Sequence, residues 1–233
     1  KTETRDKHEL VVERTDAGGT ISYTYNAAGQ PLTITSNGSK TEIEYDAYGN
    51  QKLLKDPNAG NISFTYYAGG LLESQTNAKG DITVMTYDQY GRIDTKTITE
   101  NASGKTTTTK HNYVSSGNGV GQTDSIGLYE QGVLKHLQKF VYNNKHQLTS
   151  VTDRYDGQTV TFSNTYDDLW RPLTSTSPSG LTTTNQYNEY GDLEKILTGN
   201  TVIWQGNEQN SKGQFTNYTL GNGLVTKRSF SDR

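Results

Sequence analysis

A short motif that begins with tyrosine recurs along this chain at a nearly constant spacing. Its first four copies start 20, 21 and 21 residues apart, and two later copies are again separated by 21 residues. A fixed internal period means that the fold is assembled from copies of one small unit. The five clearest copies are Tyr25-Asn26-Ala27-Ala28-Gly29, Tyr45-Asp46-Ala47-Tyr48-Gly49, Tyr66-Tyr67-Ala68-Gly69-Gly70, Tyr87-Asp88-Gln89-Tyr90-Gly91 and Tyr187-Asn188-Glu189-Tyr190-Gly191.

Three further segments keep only part of this motif. Two of them lose the glycine, which is replaced by His146 in the copy that begins at Tyr142 and by Trp170 in the copy that begins at Tyr166 and Asp167. Tyr113 begins a weaker candidate for a copy of the motif.

A second turn signal precedes several tyrosines by six or seven residues. It is found at Asp16-Ala17-Gly18-Gly19, Asp56-Pro57-Asn58-Ala59-Gly60, Asn77-Ala78-Lys79-Gly80 and Ser177-Pro178-Ser179-Gly180.

The residues between the turn signals alternate with period two. Ile21, Tyr23 and Tyr25 share one face of such a run, and the opposite face is polar. Alternation over five to seven residues between turn signals is typical of β-hairpins. One repeat is therefore predicted to contain two strands and two turns. Val133 to Val141 is the one segment whose pattern also suits a helix.

Composition favours an ordered protein whose core uses tyrosine. Leu, Ile, Val and Phe total only 43 of 233 residues, but the net charge is −3, too small for a chain disordered by charge repulsion. The 16 tyrosines and 35 threonines favour strands. Large aromatic rings can bury enough area to compensate for the scarcity of aliphatic residues.

These patterns predict an all-β protein made of tandem hairpins of about 21 residues. We expect a curved or spiralling antiparallel sheet, with β-propeller-like blades as the alternative, because two repeats have the length of one four-stranded blade. Residues 1–233 are predicted to be a single repeat region with an irregular insertion at about 101–137 and no separate catalytic domain.

Each position of the motif has a structural interpretation. Asp or Asn after the strand can cap the following turn, as we expect for Asp46, Asp88 and Asp167. Glycine three residues later suits a left-handed backbone position. The leading tyrosines are expected to pack on the sheet. Tyr48, Tyr90 and Tyr190, which precede the glycine, are the candidates for stacking on a ligand.

The Tyr-Asp/Asn-x-x-Gly copies resemble the YD repeat, also called the Rhs repeat, of bacterial Rhs proteins, Tc toxin components and teneurins. The run Leu220-Gly221-Asn222-Gly223-Leu224-Val225-Thr226 is similar to a segment common in such chains. The resemblance implies a spiralling sheet that forms the wall of a hollow shell around a C-terminal toxin. It also implies a secreted or cell-surface location. The chain is too short for a whole shell and lacks an evident self-cleaving aspartate segment.

The sequence contains no recognisable catalytic constellation. There is no cysteine, and the four histidines show no metal-type spacing, so neither an enzyme, a metal site nor a cofactor is predicted. The near-neutral charge does not suit nucleic acid, and no apolar stretch has the length of a membrane span. Our first functional hypothesis is a structural shell segment that encloses or presents toxin or effector cargo. The alternative is an adhesion module that binds a glycan or a cell-surface protein through exposed tyrosines.

The expected partners include the rest of the chain's own polypeptide and further copies of the chain. An open strip of strands has unpaired backbone groups at its edges, which can pair with another molecule. We therefore expect the isolated chain to self-associate, as measured by sedimentation velocity over a range of concentrations. A strictly monomeric protein at high concentration would instead favour a closed propeller.

Overall fold

A computed structural model describes residues 1–231 of the protein. The described residues form 21 strands of one antiparallel sheet and contain no helix, so none that could span a membrane. The strands are β1 (Thr2–Arg5), β2 (Val11–Asp16), β3 (Gly19–Tyr25), β4 (Pro31–Ser36), β5 (Ser39–Tyr45), β6 (Gln51–Asp56), β7 (Gly60–Tyr66), β8 (Leu72–Thr76), β9 (Ile82–Tyr87), β10 (Ile93–Thr99), β11 (Thr106–Tyr113), β12 (Thr123–Glu130), β13 (Val133–Tyr142), β14 (Leu148–Tyr155), β15 (Gln158–Tyr166), β16 (Pro172–Thr176), β17 (Thr182–Tyr187), β18 (Leu193–Thr198), β19 (Thr201–Gln209), β20 (Phe215–Leu220) and β21 (Val225–Lys227).

The chain divides into two compact units. One consists of Lys1–His111 with Gly127–Leu134, and the other consists of Asn112–Ile126 with the residues from Lys135 onward. In the first unit each strand from β1 to β10 pairs antiparallel with the next one along the chain. In the second unit the same holds from β13 to β21. Each unit is therefore a simple meander of hairpins.

This meander confirms the predicted all-β class and the tandem hairpins. The propeller alternative is wrong, because pairing within each unit continues past every fourth strand instead of breaking into separate blades. The helical interpretation of Val133 to Val141 is also wrong. These residues lie in β13, where His136 to Tyr142 pair with β14.

The segment 101–137, which the sequence predicts to be an irregular insertion, contains β11, β12 and the start of β13. Its irregular parts are two connections, at residues 100–105 and 114–122. The division between the two compact units also falls within this segment. A single repeat region over 1–233 stays a prediction.

The two faces of the sheet differ in chemistry. One face, which we call the tyrosine face, carries the leading tyrosines of the motif together with aliphatic residues that pair across strands, such as Ile43, Leu54 and Ile62. The other face carries threonine pairs whose hydroxyls bond to each other across neighbouring strands. These pairs include Thr24–Thr33, Thr86–Thr95, Thr97–Thr108 and Thr165–Thr174, at 2.7–3.0 Å.

No large hydrophobic side chain among the described residues is fully buried. Even paired aliphatic and aromatic residues on the tyrosine face keep part of their surface in contact with solvent. A globular domain of this size would bury such groups between two packed layers. Here the folded state depends instead on the backbone ladder and on contacts between successive hairpins.

Glycine at the end of the motif is required by the backbone. Gly49 has φ of 86°, and a Cβ there would meet the Gln30 side chain at 3.4 Å. We expect Gly49→Ala to lower the free energy of unfolding by about 1–2 kcal/mol, because an L-residue in this conformation is strained. Urea unfolding followed by circular dichroism measures this. Tyr48→Ala in the same turn is the control and should change stability by less than about 0.5 kcal/mol.

Candidate functional site

The turns that follow odd-numbered strands share one geometry, and we call this series of turns the tyrosine edge. In the turn that begins at Asp46, the Asp46 amide donates to the Asn50 carbonyl at 2.8 Å. The Gly49 amide donates to the backbone carbonyl of Asp46 at 3.1 Å. The Asp46 carboxylate accepts the amides of Tyr48 and Asn50 at 2.9 and 2.8 Å. The side chain thus satisfies the turn's backbone donors, as an Asx cap does.

The same arrangement recurs in both units. The residues whose side-chain oxygen accepts the two turn amides on this edge are Asp6, Asn26, Asp46, Asp88, Asn143, Asp167, Asn188 and Asn210. The structure therefore places Asn26, Asp46, Asp88, Asp167 and Asn188 of the predicted motif in one repeated role. Carboxylates committed to backbone amides in this way have a structural explanation that does not need catalysis.

The turn between β7 and β8 departs from this pattern. Tyr67 occupies the capping position, and the turn closes through backbone bonds between Tyr67, Gly70 and Leu71. The Tyr67 hydroxyl donates to the Met85 carbonyl at 3.1 Å, and its ring meets Tyr87 edge-on at 6.0 Å. An aromatic side chain thus replaces the cap by reaching into the next hairpin.

The glycine position of the motif is left-handed in every copy. Its φ is 78° at Gly29, 86° at Gly49, 85° at Gly70, 77° at Gly91 and 89° at Gly191. His146 and Trp170 occupy the same position with φ of 62° and 66°. Such values are unusual for residues with a Cβ. The sequence assignment of His146 to a turn is therefore matched by its backbone.

The leading tyrosines tie neighbouring hairpins together. The Tyr66 hydroxyl, for example, donates to the carbonyl of Gln51, the first residue of the return strand in the preceding hairpin, at 2.8 Å. Other leading tyrosines among the described residues form bonds of this kind, with lengths of 2.6–2.9 Å. These bonds, with that of Tyr66 included, join Tyr25 to Val11, Tyr45 to Pro31, Tyr66 to Gln51, Tyr87 to Leu72, Tyr142 to Thr123, Tyr166 to Leu148 and Tyr187 to Pro172.

Each of these tyrosines also marks a break in strand register. Tyr66 pairs with Leu72 whereas Thr65 pairs with Ser74, so one residue of β8 is skipped. The same shift occurs at Tyr25, Tyr45, Tyr87, Tyr142, Tyr166 and Tyr187. A bulge of this type bends the strand locally and redirects a side chain. The tyrosine ring lies where this bulge meets the neighbouring hairpin.

Burial shifts the acidity of several of these phenols. Desolvation raises the pKa of Tyr25 and Tyr45 above the ordinary value. Desolvation also raises the pKa of Tyr66 and Tyr142, and the nearby carboxylates of Asp46 and Asp124 add to this effect. The hydroxyls are therefore kept protonated, which is the form that can donate to a carbonyl.

The capping carboxylates shift in the opposite direction. The Asn50 amide is the main group that lowers the pKa of Asp46. For Asp88 and Asp167, partial desolvation opposes the shift, but hydrogen bonds from Arg92 and Arg171 respectively lower the pKa overall. The caps are thus ionised, which suits their role as acceptors of backbone amides.

Residues just after the glycine position add further links between turns. The Gln30 side-chain amide donates to the Gly49 carbonyl, and Gln147 donates in the same way to Trp170, both at 2.8 Å. Arg171 stacks over the Tyr187 ring at 4.1 Å. Sequence reasoning missed these links and the carbonyl partners of the tyrosines. The polar residue after the glycine was the available signal.

The three candidate stacking residues lie at the tips of their turns. Tyr48, Tyr90 and Tyr190 are 92%, 73% and 82% exposed. Tyr48 and Tyr90 belong to one compact unit and Tyr190 to the other. The intervening turn has Gly69 at the equivalent position, and four strand spacings place Tyr48 and Tyr90 about 19 Å apart. Ligand stacking on these rings stays a prediction.

Within residues 1–231 no group of three or more His, Asp or Glu side chains is placed to hold a metal ion. One histidine pair stands out, where His136 lies 3.0 Å from the Asp153 carboxylate on the tyrosine face. Gln138 donates to the same oxygen at 3.1 Å. This contact links β13 to β14 and brings no nucleophile or second carboxylate with it.

Comparison with known proteins identifies this repeated hairpin. Residues 6–41, which include the turns capped by Asp6 and Asn26, match the family model of the RHS repeat. This match covers 36 residues and bears out the resemblance that the Tyr-Asp/Asn-x-x-Gly copies indicate. The same turn geometry recurs in both units. No curated protein matches the sequence.

Two solved structures share the fold of this chain. A structure of the Photorhabdus luminescens Tc holotoxin pore matches 98% of this chain with a TM-score of 0.77 and 16% sequence identity. A crystal structure of TcdB2-TccC3-TEV matches 98% of this chain with a TM-score of 0.79, also at 16% identity. The chain spans only 13% of the length of either matched chain.

Removing a single tyrosine hydroxyl tests the links between RHS hairpins. We expect Tyr66→Phe to lower the free energy of unfolding by about 1 kcal/mol, since the Gln51 carbonyl loses its partner while the ring stays in place. Urea unfolding measures the change, with Tyr48→Phe as the matched control. Equal stability of Tyr66→Phe and the unchanged protein would contradict a stabilising role for these bonds.

The raised phenol pKa values predict alkaline unfolding. A folded-state pKa above the ordinary 10.0 means that the folded state holds the phenol proton more tightly. The resulting stability is complete below about pH 10 and is lost as the pH rises through the folded-state values. Thermal unfolding between pH 8 and 12, with tyrosinate absorbance at 295 nm, measures this. A melting temperature that does not fall above pH 10 would contradict it.

Proposed function

We propose that this chain is a non-enzymatic wall segment of an RHS-repeat shell that encloses or presents a toxin or effector cargo. The observation that carries the proposal is the meander found in each unit, whose hairpins are tied to one another by tyrosine hydroxyls. Such a strip is built by repetition and can be lengthened by adding hairpins without rearranging a core. That is the property that a wall requires.

The chemistry of the two faces supports the same role. The threonine face is polar and suits contact with water, whereas the tyrosine face carries partly exposed aliphatic and aromatic residues. A protein that bound a small substrate would instead need an enclosed pocket with convergent polar groups. The clefts along the tyrosine edge are shallow spaces between turns, such as the one of 580 Å³ between Tyr48 and Gly69.

The comparisons support a shell of toxin type. The matched structures are described as a Tc holotoxin pore and as TcdB2-TccC3. Because this chain corresponds to 13% of either matched chain, we propose that it acts within a larger RHS-repeat assembly. Secretion or display at a bacterial cell surface, and a cargo carried by the same polypeptide, belong to this proposal.

Limited proteolysis of the protein encoded by the whole reading frame tests encapsulation. We expect a non-repetitive segment that follows the repeats to resist trypsin while the wall is intact. Replacing Tyr66 and Tyr87 by alanine should open the wall and make this segment sensitive. The pair Tyr48→Ala and Tyr90→Ala, which alters two exposed turn tips, is the matched control. Equal digestion in all three proteins, or the absence of such a segment, would overturn the proposal.

A second candidate function is an adhesion module, and the high exposure of Tyr48, Tyr90 and Tyr190 favours it. Rings this exposed are accessible to a ligand, and their removal costs the fold little. The triple alanine variant would be compared with the unchanged protein for binding to chitohexaose and cellohexaose by calorimetry. Loss of binding in the variant supports adhesion. Absence of binding, or an unchanged affinity in the variant, contradicts it.

A further inference from the structure

One copy of the RHS turn carries a histidine where glycine is otherwise preferred. His146 adopts φ of 62°, and its amide donates to the Asn143 carbonyl at 3.0 Å, so the turn keeps its usual backbone bonds. A residue with a Cβ is strained in this conformation. The imidazole therefore occupies a position at which the turn itself gains nothing from it.

The imidazole faces the longest connection on the tyrosine edge, residues 114–122. This loop repeats the frame of the other turns with four additional residues. The Val114 amide donates to the Gln122 carbonyl at 2.9 Å, and the Gly121 amide donates to the Val114 carbonyl, also at 2.9 Å. These two bonds close the base of the loop. Within the loop the Gln122 amide donates to the Gly119 carbonyl at 2.8 Å, and the Val120 amide donates to the Gly117 carbonyl at 3.3 Å.

His146 adds the contact that joins the tip of the loop to the neighbouring turn. The Gly119 amide donates to Nδ1 of His146 at 3.1 Å. Gly119 is one of very few buried residues among those described, and a Cβ there would collide with the Tyr142 ring. Tyr142 in turn donates its hydroxyl to Thr123 at 2.8 Å, just beyond the loop. The loop tip therefore covers the ring of a tyrosine that ties two hairpins together.

We propose that His146 is a proton-controlled latch that holds loop 114–122 over Tyr142 at neutral pH and releases it on acidification. Nδ1 can accept the Gly119 amide only when it carries no proton. A proton and the loop compete for the same lone pair, and histidine side chains ordinarily titrate near pH 6.5. Protonation would leave the buried Gly119 amide facing a second donor.

The charged groups around the latch all lie outside the loop itself. The loop from Val114 to Gln122 contains no charged residue. On the histidine's own turn, Lys145 lies over the Trp170 ring at 5.3 Å. In the next turn Asp167 and Arg171 pair at 2.7 Å, and Asp168 is an exposed neighbour. Asp124 acts on Tyr142 from the strand after the loop.

Release changes the tip of the loop and not its base. The bonds between Val114, Gly121 and Gln122 contain no titratable group, so the loop stays closed where it leaves the sheet. Freed from His146, Gly119 would keep its carbonyl bond to the Gln122 amide, whereas its own amide would lose its partner and the cover over the Tyr142 ring would loosen. Acidification would thus loosen one hairpin junction while the remaining tyrosine bonds stay formed.

Amide exchange of Gly119 in the full chain, labelled with ¹⁵N-glycine, tests the latch between pH 8 and 5. After correction for the intrinsic pH dependence, we expect its protection to fall about tenfold on acidification, the effect of losing one hydrogen bond. Gly121, bonded at the base, is the internal control and should keep its protection. Imidazole ¹⁵N shifts should show His146 protonating over the same interval.

Two variants separate the latch from general acid destabilisation. His146→Gly restores the residue that the turn prefers, so the protein should fold, but Gly119 should be weakly protected at every pH. His146→Gln should likewise abolish the pH dependence, whereas His136→Gln, which alters the contact with Asp153, should leave it intact. Protection of Gly119 that is independent of pH in the unchanged protein, or a pH dependence that persists in both His146 variants, would overturn the proposal.

Discussion

The bond from a tyrosine hydroxyl to a carbonyl of the preceding hairpin is the interaction on which the rest of this structure depends. Backbone pairing alone holds strands together but tolerates sliding, and a slip of one residue moves every side chain to the opposite face. Because the residues that the structure describes include no buried hydrophobic core to penalise such a slip, register must be set locally. The tyrosine, its bulge and the capped turn together set it once in every hairpin.

This dependence explains why the repeat combines three residue types at fixed spacing. The aspartate or asparagine cap shapes the turn, the left-handed glycine closes it, and the tyrosine connects the result to its neighbour. Removing any of them affects a junction between hairpins and not only a single turn. The stability of the sheet is consequently distributed along one edge, in contrast to a globular domain whose stability is concentrated in a core.

Sequence alone was sufficient for the hairpins and the turn chemistry. The tyrosine spacing, the Asp or Asn that follows and the glycine three residues later led directly to the strand ends at Tyr25, Tyr45, Tyr66 and Tyr87. Local residues determine these features, so a local pattern reveals them. The carbonyl that each hydroxyl reaches could not be read in the same way, because it depends on how the next hairpin is placed.

The errors have a similar physical origin. Val133 to Val141 has spacing compatible with a helix, yet pairing with β14 holds it as a strand, since a neighbouring strand outweighs weak local preference. The loop at 114–122 contributes to the irregular pattern of residues 101–137 because it has four more residues than the other turns on this edge. Tyr67 occupies a capping position without a capping side chain, and only the structure shows that its hydroxyl reaches Met85.

Departures from the motif are informative because most copies use the same few residue types at each position. Glycine satisfies the left-handed position without strain, so a larger residue persists there only if contacts elsewhere compensate. Trp170 has such contacts, because its carbonyl accepts Gln147 and Lys145 lies over its ring. His146 has one in the Gly119 amide. In a chain built by repetition, the turns that break the repeat are therefore where this edge carries chemistry beyond holding hairpins together.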